Sequence, residues 1–287
     1  MKVCAITMVY RDHWALAQWY AHYARMIGPE NLYIISHGAD AAVQEICPKA
    51  SVITVPRDDL AHFDIERNNL LNSFQNALGR PYDWVIRTDV DELICLDPGI
   101  YPSVADLLEG QNANALFALG MNVVESPGDE VLNNGASALS ARSNVEFSGH
   151  YSKAWVRRRG ISLVRHGVQV KPRRVARFSF VMPRGVYLAH LKFANTKELE
   201  LSNRHRIAIA NTDALGLPGG SWRDAEEKAE RFRIKFAAKP QVDWATGEAQ
   251  AYADLQIPKR SVADGLVQVR SLQFDFRTRL PVWFADC

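Results

Sequence analysis

Cysteine is scarce and scattered in this chain: Cys4, Cys47, Cys95 and Cys287 form no CxxC pair. That spacing excludes a zinc knuckle and argues against a disulfide-built scaffold. Cys4 and Cys95 fall in apolar, strand-like runs, where a cysteine acts as a small buried hydrophobe. No apolar run approaches the roughly 18 residues that a membrane span requires. The opening residues, Met1-Lys2-Val3-Cys4-Ala5-Ile6-Thr7, lack the long apolar core and small-residue cleavage site of a secretion signal, so they read as a first strand. A soluble, cytoplasmic protein is the expectation. Both glycine-rich nucleotide patterns, GxxxxGK followed by Ser or Thr and GxGxxG, are missing. So are internal repeats and low-complexity segments.

One absence is local. From Phe147 to Lys197 there are twelve Lys or Arg and no Asp or Glu, although the net charge of the whole chain is only +2. The rest holds 22 basic and 32 acidic residues, a net of −10. An acid-free stretch of this length sets up a positive field that attracts an anionic partner. The plainer account is a set of solvated strand edges, where Lys and Arg discourage aggregation.

With 287 residues, 47% of them hydrophobic, the chain suits one large domain with a substantial core and an appendage. Its first half alternates strand and helix. Residues 2–10, 31–36, 51–55 and 83–87 read as strands, with helical spacing over 14–26, a short helix ending at Cys47, and an amphipathic helix over 65–78. This rhythm predicts a parallel sheet with right-handed crossovers, whose ligands bind at the carboxyl ends of the strands. Beyond it come a short helix at 103–108, a buried strand at 115–124 and a long loop at 125–150. Short strands ending with 185–193 follow, then helices near 196–211 and 222–237 and an irregular final fifty residues.

The strongest chemical signal is Asp89-Val90-Asp91-Glu92, set between the apolar strand 83–87 and the apolar run Leu93-Ile94-Cys95-Leu96. Two carboxylates at a strand end can share a hard divalent cation with the phosphates of a substrate. A lone DxD is otherwise an acidic turn or a helix cap. The strand 2–10, the helix bearing Trp19, the strand Asn31-Leu32-Tyr33-Ile34-Ile35-Ser36, the helix 65–78 and the segment from Asp83 to Leu93 together resemble the family 2-type glycosyltransferases of GT-A fold. More narrowly they resemble a small bacterial group with D-x-D-E followed by Phe or Leu.

The resemblance implies an α/β, GT-A-like, mostly parallel sheet flanked by helices over 1–210, with a C-terminal helical and irregular appendage over 211–287. It implies transfer of a sugar from a nucleotide-sugar donor, UDP-sugar favoured, to a saccharide or lipid-linked acceptor in surface-polysaccharide synthesis. Mn²⁺ or Mg²⁺ is the implied cofactor. Asp91 resembles the metal ligand and Asp89 its partner nearer the ribose. Asp12 stands where the family often has Asn-Glu, and Asp40 resembles the acidic residue that reads the base or ribose. Arg67 matches a helix position that approaches the donor. His190, at the end of an apolar strand and just before a helix, resembles a third metal ligand, with His166 the runner-up. Lys153, Arg158 and Lys192 are candidates to neutralise the leaving diphosphate. An inverting transfer needs a carboxylate base. Glu125 and Asp129, in the long loop, are the expected choices, Glu125 first, with Glu92 a third.

Two enzyme alternatives fit less well. A sugar nucleotidyltransferase normally shows a Gly-rich loop after the first strand, and Tyr10-Arg11-Asp12-His13 has no glycine. A HAD-type phosphatase needs D-x-D-x-T, and Leu93 stands where the threonine belongs. From another class, the basic stretch with Trp155, Phe178, Phe180 and Tyr187 suits a module that binds nucleic acid or an anionic membrane. That reading leaves the acidic turn unexplained, so it ranks well below the enzyme. A peripheral contact with an anionic membrane is an expectation for the enzyme itself, and nucleic acid is not an expected partner.

Overall fold

Alternate side chains of strand β1 (Val3–Val9) face opposite ways and both faces are buried. Cys4, Ile6 and Met8 pack with Ile35, Leu71 and Val85, while Ala5 and Val9 join Leu16, Trp19 and Tyr23. Burial on two sides is what a parallel sheet between helices demands. The computed structural model describes residues 1–132, 135–164, 166–212, 215–217 and 222–287. Around β1 run α1 (His13–Ile27), β2 (Leu32–His37), α2 (Ala41–Ile46), β3 (Ser51–Val55), α3 (Phe63–Leu78) and β4 (Trp84–Arg87). The strands lie in the order β3-β2-β1-β4, all parallel, with α1 on one face and α3 on the other.

After β4 come β5 (Glu92–Leu96), α4 (Val104–Leu108), β6 (Ala115–Phe117), β7 (Leu119–Val124), α5 (Ala138–Ala141) and β8 (Asn144–Phe147). Then follow β9 (Ala154–Arg157), β10 (Ser162–Val164), β11 (Gly167–Gln169), β12 (Val186–Phe193) and α6 (Thr196–Ala210). The chain closes with α7 (Ala225–Ala238), α8 (Trp244–Leu255), β13 (Lys259–Ser261), β14 (Leu266–Gln268) and β15 (Thr278–Arg279). β9 and β6 extend the first sheet with antiparallel pairings. A second sheet has the order β15-β8-β7-β12-β5, in which only β7 and β12 are parallel. A small antiparallel sheet, β10-β11-β14-β13, completes the fold. The mixed α/β architecture is the one expected, with parallel pairing through the first four strands and once more between β7 and β12.

Three expectations need correction. The run 115–124 is two strands: Ala118 donates to Lys153 O at 3.1 Å, and there the chain passes from the first sheet to the second. Apolar periodicity cannot register a change of sheet, because both strands are buried throughout. The supposed loop 125–150 contains α5 and β8; the strand is masked in sequence because Asn144 and Glu146 are polar yet buried. The last fifty residues hold α8, capped by Asp243 accepting from Thr246 N at 3.0 Å, and three short strands. The boundary expected at 210/211 falls at the end of α6, but residues from both sides of it share sheets: β14 pairs with β11 and β15 with β8. No helix among the described residues is long and apolar enough to cross a membrane.

Candidate functional site

The acidic turn is the point where the chain leaves the first sheet, between β4 and β5. Helix α1 holds it in place. Trp19 Nε1 donates to Thr88 Oγ1 at 2.8 Å, and the buried Tyr23 hydroxyl accepts from Ile94 N at 3.1 Å and donates to Glu92 O. The turn closes on itself, with Glu92 N donating to Asp89 O at 3.0 Å and Asp89 N to Glu92 Oε2 at 2.9 Å. Asp91 O accepts from Leu191 N at 2.7 Å, which ties the turn to β12. Aromatic packing on α1 thus supplies the rigidity that carboxylates at a strand end need.

The two aspartates have different partners. Asp89 is bound by Arg67 and, at 3.1 Å, by Lys153, which also reaches Glu92 Oε1 at 2.8 Å. Burial alone would raise the Asp89 pKa, but Lys153 and Arg67 hold it well below the usual carboxylate range. Glu92, 1% exposed, is pushed up to about 7 by burial, with Lys153 opposing and Asp89 and Asp91 adding to the rise. Asp91 instead faces His190, with Oδ2 3.3 Å from Nε2. Burial draws the His190 pKa down, against the pull of Asp91.

Which nitrogen of His190 carries the proton follows from a relay of three residues, Asn122, Glu146 and Lys239. Lys239 donates to Glu146 Oε2 at 2.6 Å, and Glu146 Oε1 accepts from Asn122 Nδ2 at 3.2 Å. The Asn122 carbonyl oxygen is then turned to His190 Nδ1, 2.8 Å away, and must accept its proton. A neutral His190 therefore presents the Nε2 lone pair to the Asp91 carboxylate. Two acceptors face each other across 3.3 Å, an arrangement that a proton or a cation resolves. Tyr151 stacks on His190 with ring centroids 3.7 Å apart. Gly120 makes this stacking possible, because a Cβ there would lie 2.2 Å from the Tyr151 carbonyl carbon.

Among the described residues no group of three or more His, Cys, Asp or Glu side chains is arranged to hold a metal ion. Asp89, expected from the sequence as a second metal ligand, is paired here with two cations, Arg67 and Lys153. Asp91 and His190 remain. That pair suits a divalent ion that takes one or two protein ligands and completes its shell with water and substrate phosphates, and does not suit a protein-built cage.

A cavity of about 670 Å³ opens over this turn. Its other walls are the β1–α1 connection, α3, the segment around Tyr151, the β10–β11 turn and α6. Only Tyr10, Arg11 and Asp12 separate β1 from α1, and Arg11 has a left-handed φ of 52°, a strained value for a side chain of its size. The Arg57 guanidinium lies 3.5 Å from the Tyr10 ring centroid and donates to His37 Nδ1 at 2.7 Å. Phe63 stacks on His37 and meets Trp222 edge-on. Together these rings and the guanidinium form an aromatic, cationic slot at one end of the cavity.

Of the residues singled out in the sequence, Asp12, Arg67, Asp89, Asp91, Glu92, Lys153, His166, His190 and Lys192 line the cavity. Asp12 also caps α1 through Ala15 N. Asp40 does not line it: one oxygen caps α2 through Ala42 N and the other pairs with His13 at 2.8 Å. Arg158 is turned away, over Trp84 and onto Gln111 O. The expected bases are also elsewhere. Glu125 accepts from Thr196 N at 2.7 Å and Asp129 from Ser126 N at 2.8 Å, and both flank the buried Arg142 at 3.6 and 3.9 Å. Their work is to neutralise that guanidinium and to cap α6. Asp12 and Glu198 are cavity carboxylates that can replace them. Asn122, Glu146, Lys239, Arg57, Arg87 and Arg206 were not foreseen. A charged residue ending an otherwise apolar strand marked Arg87; the others carry no local signal.

The basic stretch disperses. Arg157 is fully buried, Lys153 and Lys192 face the cavity, and Arg165 lies outside the described residues. Lys171, Arg173, Arg174 and Arg177 are exposed together around a short 3₁₀ turn. Trp155, Phe178 and Tyr187 are buried and Phe180 packs on Phe117, so none of them is free to stack a base.

No family model matches the chain, and no curated protein matches it. Solved structures with partial likeness include a 4-diphosphocytidyl-2C-methyl-D-erythritol synthase (14% identity, 46% of this chain, TM-score 0.29). The chain spans 65% of that protein's length. A mannose-1-phosphate geranyltransferase from Thermus thermophilus shares 13% identity over 97% of this chain and 74% of its own, with a TM-score of 0.29. A CMP:2-keto-3-deoxy-manno-octonic acid synthetase complexed with CTP shares 12% over 83% and 86%, with a TM-score of 0.28. Likeness at this level does not determine an activity.

Proposed function

We propose that the protein is a metal-assisted glycosyltransferase that takes a nucleotide-sugar donor, UDP-sugar favoured, and a saccharide or lipid-linked acceptor of surface-polysaccharide type. The observation that carries this reading is the pair of opposed acceptors, Asp91 Oδ2 just past the carboxyl end of β4 and His190 Nε2 on β12, lining one cavity with the aromatic slot. Mn²⁺ or Mg²⁺ held by that pair would polarise the diphosphate and stabilise it as a leaving group. The slot of Tyr10, Phe63 and Arg57 suits a nucleobase, which stacks on rings and guanidinium planes alike. Lys192 and Arg206, on the α6 side of Asp91, suit the charge that the diphosphate gains as its bond to the sugar breaks. Asp89 sets Arg67 and Lys153 in place. Transfer requires the acceptor hydroxyl to lose its proton, and Asp12 and Glu198 are the carboxylates at hand.

Sugar nucleotidyl transfer is the second reading. What favours it is the number of cavity cations, which exceeds the two or three that balance one diphosphate. Against it stands the three-residue β1–α1 connection, too short for the glycine-rich loop that cradles a triphosphate. Product analysis separates them. With UDP-sugars and Mn²⁺ the glycosyltransferase reading expects free UDP, with slow hydrolysis when no acceptor is present. Pyrophosphate released from a nucleoside triphosphate and a sugar 1-phosphate would establish the second reading and end the first.

Lys171, Arg173, Arg174 and Arg177 support a peripheral contact with the anionic inner face of a membrane. Each cation near such a surface contributes about 1 kcal/mol, and salt weakens it. Anionic vesicles should sediment the protein at low salt, and a variant with all four changed to Gln should stay in solution. Equal sedimentation of both proteins would reduce these residues to solvated charges.

A further inference from the structure

One wall of the cavity holds a cation that no carboxylate among the described residues pairs with. Arg87 ends β4, is 9% exposed, and lines the cavity together with Asn68 and Leu71 of α3 and Val164 of β10. Its guanidinium donates to Asn72 Oδ1 at 3.2 Å and to Asn68 Oδ1 at 3.3 Å. Both partners are neutral amides, themselves held in place: Asn72 Nδ2 donates to Leu163 O and Asn68 Nδ2 to Asp64 O. The carboxylates next along the chain are taken, Asp89 by Arg67 and Lys153, and Glu92 by Lys153.

A second guanidinium lies alongside. Val85 pairs with Arg157 across β4 and β9, which puts Arg157 on the same face of the sheet as Val85 and Arg87. Arg157 is fully buried, and its Nε and Nη2 have no hydrogen-bond partner. Burial and the neighbouring charges of Arg67 and Arg157 lower the Arg87 pKa to about 9, with Asp89 opposing. A desolvated charge without a counter-charge is costly to the fold. Proteins keep such groups where a ligand supplies the missing charge, and a guanidinium fork matches the oxygens of a carboxylate or a phosphate.

We propose that Arg87 is an anion subsite that receives a carboxylate or phosphate-monoester group of the second substrate, separate from the diphosphate of the donor. The separation follows from the walls: Arg87 is bonded to Asn68 and Asn72 of α3, whereas Lys192 of β12 and Arg206 of α6 group with Asp91 and Glu198 around a small recess that Arg87 does not line. Assigning the anion to the second substrate rests on the nucleotide-sugar reading. The existence of an anion site at Arg87 does not. The acceptor is accordingly an acidic saccharide or a phosphorylated one.

Thermal melts with inorganic phosphate, at constant ionic strength, test this in wild type and Arg87→Gln, each with and without saturating UDP and Mg²⁺. Phosphate at ten times its Kd should raise the wild-type Tm by roughly 2–4 °C in both conditions. The rise should vanish in Arg87→Gln. Without phosphate, Arg87→Gln should melt no lower than wild type, because it removes an uncompensated buried charge. Loss of the phosphate effect when UDP is bound would make the anion the donor's own and overturn the proposal. A phosphate effect that survives in Arg87→Gln, or a variant that melts several degrees low, would overturn it as well. Failure of UDP to bind at all would sink the nucleotide-sugar reading, and the arms without UDP would still decide whether Arg87 is an anion site.

Discussion

Asp91→Asn should abolish metal-dependent donor turnover, by roughly 10³-fold or more in kcat/KM, while leaving the melting temperature within a few degrees of wild type. The fold is spared because the tie to β12 runs through the Asp91 backbone carbonyl, which the substitution keeps. Local geometry is spared too. An asparagine amide facing His190 can donate to the Nε2 lone pair at the position where the carboxylate now opposes it. The same hydrogen bond occupies the site where a cation would bind. Mn²⁺ binding followed by electron paramagnetic resonance should therefore weaken with the turnover. Asp89→Asn is the contrasting variant: it loosens Arg67 and Lys153 and should retain more Mn²⁺ affinity than Asp91→Asn. If Asp91→Asn kept wild-type Mn²⁺ binding and donor hydrolysis, the metal assignment would be lost.

Lys153→Met should be the most destabilising of the substitutions considered at the turn, by about 3–5 kcal/mol at pH 8. The Lys153 side chain is 12% exposed and is the cation within 2.8 Å of a Glu92 side chain that is 1% exposed. Methionine leaves that carboxylate buried and unpaired. The effect depends on pH, and its sign follows from Glu92. A carboxyl whose folded pKa is raised gives stability that is complete below its unfolded pKa, near 4.5, and is lost as pH rises through about 7. Removing Lys153 lifts the folded pKa further and extends the loss above pH 7. Denaturant melts should show a small penalty at pH 5 and a larger one at pH 8. Lys153→Met combined with Glu92→Gln should recover most of the loss and flatten the pH dependence. A penalty equal at both pH values, or no recovery in the double variant, would show that Lys153 acts through packing alone.

The contrast between Asp91 and Glu125 shows how much of the site can be read along the chain. Asp91 was legible because the turn is local: an apolar strand delivers it, an apolar strand removes it, and four consecutive residues carry the chemistry. Glu125 was sought in a loop because a base must come from somewhere, yet its role is set by Arg142, seventeen positions on and fully enclosed. Sequence distance carries no information about which buried cation a carboxylate will meet.

By itself, the sequence determined the alternation of β1 to β4 with α1 to α3, because burial on both faces writes apolar runs and helix stops into consecutive residues. It also determined that the acidic turn stands at a strand end. Tertiary structure alone decided the rest. Ala118 became a crossing between sheets, Arg87 a cation held by two neutral amides, and Asp89 a partner for Arg67 and Lys153. The state of His190 depends on Asn122, Glu146 and Lys239, which lie on β7, on β8 and just after α7. Hydrogen bonds and ion pairs act over about 3 Å, and the residues that make them here are separated by 24 to 93 positions. Only the fold brings them within that range.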